Sequence, residues 1–531
     1  MSESDPSPHR GETPVEYADR LGQWYSSNTP GEKRKRFGQY FTPIGVARFM
    51  ARSLTPVKGT VKILDPGAGA GILACAVCEH LMPSNGRPSH VVIEAWETDV
   101  TLFLLLKKSL AFLKRKLQAN GVSTTIRARK ADFVLNYGHL LSRSPDLFAS
   151  QTPRPTFDIA ISNPPYFKIP KSDPRAVVAE SVVHGQPNIY ALFMAIAAHL
   201  LATEGQLVFI TPRSFASGQY FRAFRECFFK MMRPELLHVF ESRTDAFRRD
   251  GVLQENIIMK AAKKPRWATV RKLPRIVISA SPGGADLLGP VQRQVSAASV
   301  LDMGSRQKFL RIPVTEKEDE VIRTIDSWPA SLKSLGLSVS TGPVVPFRAL
   351  QFLSRGHLRG KFAPLLWLQN VRPMKVEWPV DARRKPQYIS YEDQARALLV
   401  PNKTYVLIRR FSAKEDHRRL VAAPLMEGRL DGDLIGLENH LNYIHRPNGT
   451  LSKQEAYGLA VLYNTELLDT YFRTVNGNTQ VSATELREIR LPDRDVIMEI
   501  GRRALAVKNP AVKIDSLAAV ACETPVAHGN R

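Results

Sequence analysis

Between Val61 and Lys264 short β-rich apolar runs alternate with amphipathic stretches, and few folds accommodate that rhythm. The runs are VKILD, HVVIEAWE, TTIRAR, FDIAISN, QLVFITP, LLHVFES and ENIIMKAA, with helix-like segments mostly between them. Such alternation reads as an open α/β sheet. The last two runs, Leu236 to Ser242 and Glu255 to Ala262, are joined by a loop too short for a crossover helix. They are expected to pair antiparallel at the sheet edge. Gly67, Gly69 and Gly71 follow the first run directly. In open α/β sheets that is where a ligand meets the carboxyl ends of the strands.

From Lys263 to Pro290 the texture changes to KKPRWATVRKLPR and SASPGGADLLGP, which sets a domain boundary near residue 264. The first domain is then 37–264. A second, 265–515, mixes β-like runs such as KTYVLIRRF with helical ones such as EAYGLAVLYNTELLDTYFR, a mixed α+β pattern. Residues 1–36 and 516–531 read as polar, mobile tails. With 531 residues and 44% apolar content the chain has material for two cores. Cys75, Cys78, Cys227 and Cys522 are too few and scattered for a disulfide framework, so a reduced, cytoplasmic chain is expected. The longest apolar stretch, Ile189 to Ala202, is too short to span a bilayer, and no membrane role is expected. The formal charge of +24 is shared by both halves, which predicts a polyanionic partner touching both.

The strongest chemical signal is Asn163-Pro164-Pro165-Tyr166 at the end of FDIAIS. It suits methyl transfer to an exocyclic amino group on a base, whose nitrogen is a poor nucleophile because its lone pair is delocalised into the ring. The amide oxygen of Asn163 and the carbonyl of Pro164 can each accept one amino hydrogen and free that lone pair. The two prolines fix the backbone, and Tyr166 offers a flat face to a base taken out of the stack. Asp65-Pro66-Gly67-Ala68-Gly69-Ala70-Gly71 places an acid before three alternating glycines. An acid there can meet a cationic amino group, whereas it would repel a pyrophosphate. Glu97, after the second run, can take both hydroxyls of a ribose, with Asp99 as its rival. Asp132 and Phe133, after the third, supply an acceptor for an adenine amino group and an apolar wall for the ring. Cys75-x-x-Cys78 has no second pair or neighbouring His and reads as helix packing; no metal site is expected.

Together with Phe37-Gly38-Gln39-Tyr40-Phe41-Thr42-Pro43, these motifs resemble, in content and order, the gamma class of adenine-N6 DNA methyltransferases, the TaqI-like modification enzymes of restriction-modification systems. The resemblance implies an S-adenosyl-L-methionine-dependent, Rossmann-like methyltransferase domain followed by a C-terminal target-recognition domain. It implies that Thr42 contacts the cofactor's carboxylate end and that Asp65, Glu97, Asp132 and Phe133 line its pocket. Asn163 to Tyr166 would hold a flipped adenine, with Phe247 on its other face. In double-stranded DNA the product would be N6-methyladenine, protecting host sites from a separately encoded restriction endonuclease. Methylation of cytosine N4 stays open, because the amino group is similar; protein glutamine and RNA are more distant alternatives. In the second domain Arg409, Arg410, Lys414, Arg418 and Arg419 are candidates to track phosphates, and Gln480 to read a base edge.

Overall fold

The computed structural model describes residues 6–83, 87–142, 156–240, 255–270, 273–283, 287–356, 362–380, 385–413, 415–477 and 479–523. They form two compact units, Met1–Val314 and Thr315–Arg531.

The first unit is built on nine strands: β1 (Thr60–Pro66), β2 (His90–Trp96), β3 (Ser123–Arg129), β4 (Phe157–Ser162), β5 (Leu201–Pro212), β6 (Met232–Phe240), β7 (Asn256–Lys263), β8 (Arg275–Ser281) and β9 (Val291–Ser296). Their spatial order is β3-β2-β1-β4-β5-β7-β6-β8-β9. β3, β2, β1, β4 and β5 are parallel, as crossover helices require, and β7 runs antiparallel to both β5 and β6. The chain reverses its direction of travel across the sheet between β1 and β4, so a crevice opens at their carboxyl ends. Near-continuous burial of β1, β4 and β5 agrees with a sheet covered on both faces.

Four expectations are corrected. The antiparallel pair β6–β7 is interior, because β8 adds parallel to β6 and β9 closes the edge. The first unit therefore runs to Val314 instead of ending near 264. RIVISAS inside the Pro-rich stretch is a full strand with Ile276 and Ile278 buried. The supposed N-terminal tail holds α1 (Pro14–Ser27) and α2 (Gly31–Arg36). A capping box between Thr13 and Glu16 starts α1, and Val15, Tyr17, Ala18, Leu21 and Tyr25 are buried. They face α4 (Ile72–Leu81) and α5 (Val100–Ala119), the numbering passing through α3 (Ile44–Arg52). The supposed C-terminal tail, 516–531, likewise holds the end of the helix Ile514–Ala518, with Leu517 and Ala518 buried, and the helix Val520–Glu523.

The second unit contains a four-stranded antiparallel sheet ordered Ser338–Thr341, Leu441–His445, Tyr405–Arg409, Ala422–Leu425. It also holds a mixed five-stranded sheet, a two-stranded one and, among others, the helices Lys453–Tyr463, Glu466–Val475 and Arg494–Leu505. Among the described residues no helix is long and apolar enough to cross a membrane.

Candidate active site

At the carboxyl ends of β1, β2 and β4 lies a cavity of about 510 Å³. Its floor is the glycine loop between β1 and α4. Gly71 starts α4 at φ 88°, and a Cβ there would lie 2.8 Å from Ser109 Oγ on α5, so a larger residue would push the helices apart. Gly67 and Gly69, also at positive φ, bring bare backbone to the cavity wall. Ser162 Oγ donates to the Pro66 carbonyl at 2.5 Å, tying the end of β4 to that loop.

The Phe37–Pro43 segment is pressed against the tetrapeptide. Gly38 sits at φ 60°, and a Cβ on it would meet the Tyr166 backbone nitrogen at 2.6 Å. Asn163 Nδ2 donates to the Tyr40 carbonyl at 2.8 Å and to Thr42 Oγ1 at 3.1 Å. These two acceptors orient the amide, so the oxygen is the group turned away from them. Asn163 Oδ1 lies 2.5 Å from the Tyr166 hydroxyl, which also lies 3.0 Å from the Ile210 carbonyl. Tyr166 is thereby drawn into the protein, 7% exposed, with its ring against Tyr40 and Tyr190. It holds Asn163, and no face of it lines the cavity, contrary to the sequence expectation; Tyr40 does line it.

Glu97 and Asp99 both line the cavity, and their partners separate them. Glu97 accepts from the Gly69 amide at 3.0 Å and from the Thr98 and Asp99 amides at 2.7 and 2.8 Å. Burial pushes its carboxyl upward and those amides pull it back. Asp99 caps α5 through the Leu102 amide, accepts from the Tyr25 hydroxyl and lies 3.5 Å from Lys33. Asp132 caps α6 (Phe133–Tyr137), and its other oxygen lies 3.8 Å from Arg175. Phe133 is packed among Trp96, Tyr137 and Phe193.

Thr42, Gly67, Gly69, Glu97, Asp132, Phe133, Asn163 and Pro165 thus share one cavity. Asp65, Gly71, Pro164 and Tyr166 do not line it. Asp65 is wholly buried beneath the loop, and burial, opposed by the Ala74 amide, pushes its carboxyl up to about 7. Between the ordinary value near 3.8 and about 7 the folded chain therefore binds more protons than the unfolded one. Stability contributed by this group must fall as pH rises through that window. Asp65→Asn is expected to flatten the plot of melting temperature against pH there; an unchanged plot would show that Asp65 is ionised throughout. Sequence reasoning missed Lys33, Tyr40, Trp96, Arg175 and Phe193, which also line the cavity. Of these, Tyr40 carried a signal, standing one residue from Phe41-Thr42-Pro43.

Phe247 and Lys414 lie outside the described residues. The remaining candidates of the second unit differ in exposure. Gln480 is exposed, whereas Arg409, Arg410 and Arg418 are half-buried. Arg409 Nε donates to the Val371 carbonyl, Arg410 to the Asn439 carbonyl, and Arg418 lies 3.6 Å from Asp515. Arg419 is 1% exposed, donates to Ser412 Oγ and Asn476 Oδ1, and lies over the Phe472 ring. It is a core residue and does not track phosphates. Arg419→Met is expected to cost about 2 kcal/mol of stability, the loss of charge-assisted hydrogen bonds. Chemical denaturation checks this, and wild-type stability would be incompatible with the buried contacts.

The Eco57I restriction-modification methylase family matches residues 98–247. The Type II methyltransferase M.PstI of Providencia stuartii is 32% identical over 499 residues, 94% of this chain and 95% of that protein. M.BsuBI of Bacillus subtilis, also a Type II methyltransferase, is 33% identical over 492 residues, 91% and 94% of the two chains. Among solved structures, the type IIG restriction endonuclease BpuSI aligns over 98% of this chain and 71% of its own, at 13% identity and a TM-score of 0.43. With about a third of its residues identical to each of two such enzymes over nearly their whole length, the protein belongs to the Type II methyltransferases of restriction-modification systems.

Proposed function

We propose that the chain methylates the N6 amino group of adenine in double-stranded DNA, acting on a base flipped out of the duplex. The observation that carries this reading is Asn163 on the cavity wall at the end of β4, its amide oriented by Tyr40 and Thr42. S-adenosyl-L-methionine, the cofactor of this family, supplies a methyl group on a sulfonium centre. The residues present fit it. Gly67 and Gly69 leave room beside the backbone, Glu97 presents a carboxylate fixed by three amides for ribose hydroxyls, and Asp132 and Phe133 offer an acceptor and an apolar wall to an adenine ring. Thr42, on the same wall, is assigned to the methionine end.

On the base side Asn163 Oδ1 has two lone pairs. One takes the Tyr166 hydroxyl, and the second accepts an amino hydrogen of the base. The Pro164 carbonyl takes the other hydrogen, so the nitrogen lone pair leaves the ring and points along the line of attack. The amino nitrogen sheds its proton after the transfer, and no residue of tuned pKa is required. Phe247 is assigned to the far face of the base. Arg409, Arg410, Lys414 and Arg418 are assigned to phosphates and Gln480 to a base edge, and a separately encoded endonuclease of the same target site is the functional partner.

Incubating the protein with labelled cofactor and plasmid DNA, followed by digestion to nucleosides, tests the reading. Label in N6-methyladenine supports it. Label in N4-methylcytosine would overturn the base assignment, and label only in protein or RNA would overturn DNA as substrate. Sequencing the modified DNA then maps the site.

A further inference from the structure

From Ser327 to Val376 the chain contains no Asp or Glu and seven Lys or Arg. Within this stretch two successive 3₁₀ turns, Pro346–Arg348 and Leu350–Phe352, form a two-faced corner of the second unit. Its inner side is anchored: Ala349 and Phe352 are buried with Val344, Leu365, Trp367 and Ile389. Backbone hydrogen bonds close the corner, from the Ala349 amide to the Val345 carbonyl and from the Phe352 amide to the Ala349 carbonyl. Its outer side is apolar. Phe347 is 71% exposed and Leu350 69%. Among the described residues of the second unit, Val512 is the one other large apolar side chain so exposed. The Arg348 guanidinium lies 5.3 Å over the Phe347 ring, and exposed Arg355 follows three residues after the corner.

Single exposed apolar residues need no explanation, but two on one fixed corner form a patch that water solvates poorly. The partner that covers it also meets the exposed cation Arg355 and the Arg348 guanidinium, in a stretch of sequence without an acid. Duplex DNA meets both demands, because its phosphates are outside and its apolar surface lies between base pairs, reached by prying a step apart. We propose that Phe347 and Leu350 form a wedge that enters the base stack of duplex DNA, with Arg348 and Arg355 against the flanking phosphates. This rests on the DNA-methyltransferase reading above and adds to it a place where the duplex is deformed. A rigid corner suits that work, since an anchored backbone loses little further freedom when the wedge is inserted.

The test uses the full-length protein and a short duplex carrying the site mapped in modified DNA, with 2-aminopurine placed in turn at positions other than the target base. Wild type should raise the emission of the analogue at one step, where stacking is lost. The double variant Phe347→Ala/Leu350→Ala should lose that emission and bind the duplex at least tenfold more weakly, with its salt dependence unchanged. Phe347→Trp should keep both properties. Arg348→Gln should instead flatten the plot of log affinity against log salt by about one phosphate contact. Melting temperatures should not move, because both apolar side chains are exposed. Wild-type affinity and emission in the double variant would overturn the wedge. So would loss of self-association with DNA binding intact, which would give the patch to a protein contact. Failure of the wild-type protein to methylate any duplex DNA would instead overturn the parent reading.

Discussion

Asn163→Ala is expected to lose a hundred- to thousandfold in turnover while cofactor affinity stays near wild type. The magnitude follows from removing one preorganised polar partner of a reacting group. The separation of effects follows from where Asn163 sits. Of its contacts Tyr40, Thr42 and Tyr166, Thr42 alone is assigned to the cofactor and keeps its own side chain in the variant, while the rest of the cofactor side is shaped by Gly67, Gly69, Glu97 and Phe133. Asn163→Asp sharpens the test. It keeps acceptor oxygens yet loses the Nδ2 donor, so a carboxylate oxygen would face the Tyr40 carbonyl and Thr42 Oγ1. The side chain should turn away from the Tyr40 carbonyl, since only the Thr42 hydroxyl can reverse and donate to it, and turnover should fall although an acceptor remains. Single-turnover rates with calorimetric binding of the cofactor measure both. Full turnover in Asn163→Ala would remove the amide from the chemistry.

Most of the site was legible because Gly67, Glu97, Asp132 and Asn163 stand at or within a few residues of strand ends. An open α/β sheet sends those strand ends to one crevice, so Gly67, Gly69, Glu97, Asp132 and Asn163 converge by topology alone. What escaped was decided by contacts distant in sequence. Tyr166 reads as a free aromatic until the Ile210 carbonyl, 44 positions away, draws its hydroxyl inward. Arg419 sits in a run that reads as a basic face, but Asn476 and Phe472 bury it. The helix α1 was overlooked for a different reason. Thr13 and Glu16 spell a capping box, and Val15, Ala18, Leu21, Gly22 and Tyr25 recur at helical spacing. Polar residues interleaved among them hid that stripe, although Ala18 and Gly22 line the cavity.

A chain cut after Lys264 is expected to fail to fold, whereas one cut after Val314 should fold and bind cofactor. The sequence texture argued for the first cut, because KKPRWATVRKLPR resembles a linker. The sheet argues for the second. β8 pairs with β6 from Leu236 to Phe240, so its removal leaves an interior strand with an unpaired edge. The residues lost include Ile276, Ile278, Val295, Val300, Leu301, Leu310 and Ile312, all buried in the same core as β6 and β7. At roughly 1.5 to 3 kcal/mol for each large apolar side chain, their loss matches or exceeds a typical net stability of about 5 to 15 kcal/mol. Arg225 would also lose the Gln307 carbonyl and the Phe309 ring, leaving a buried guanidinium with part of its partners gone. Cofactor binding by calorimetry, beside thermal melting of both truncated chains, decides between the cuts. A cooperative melt and cofactor binding in the shorter chain would show that β8 and β9 are additions to a sheet complete without them. If the longer chain alone binds cofactor and neither selects the mapped site, cofactor capture resides in the first unit and site recognition needs the second.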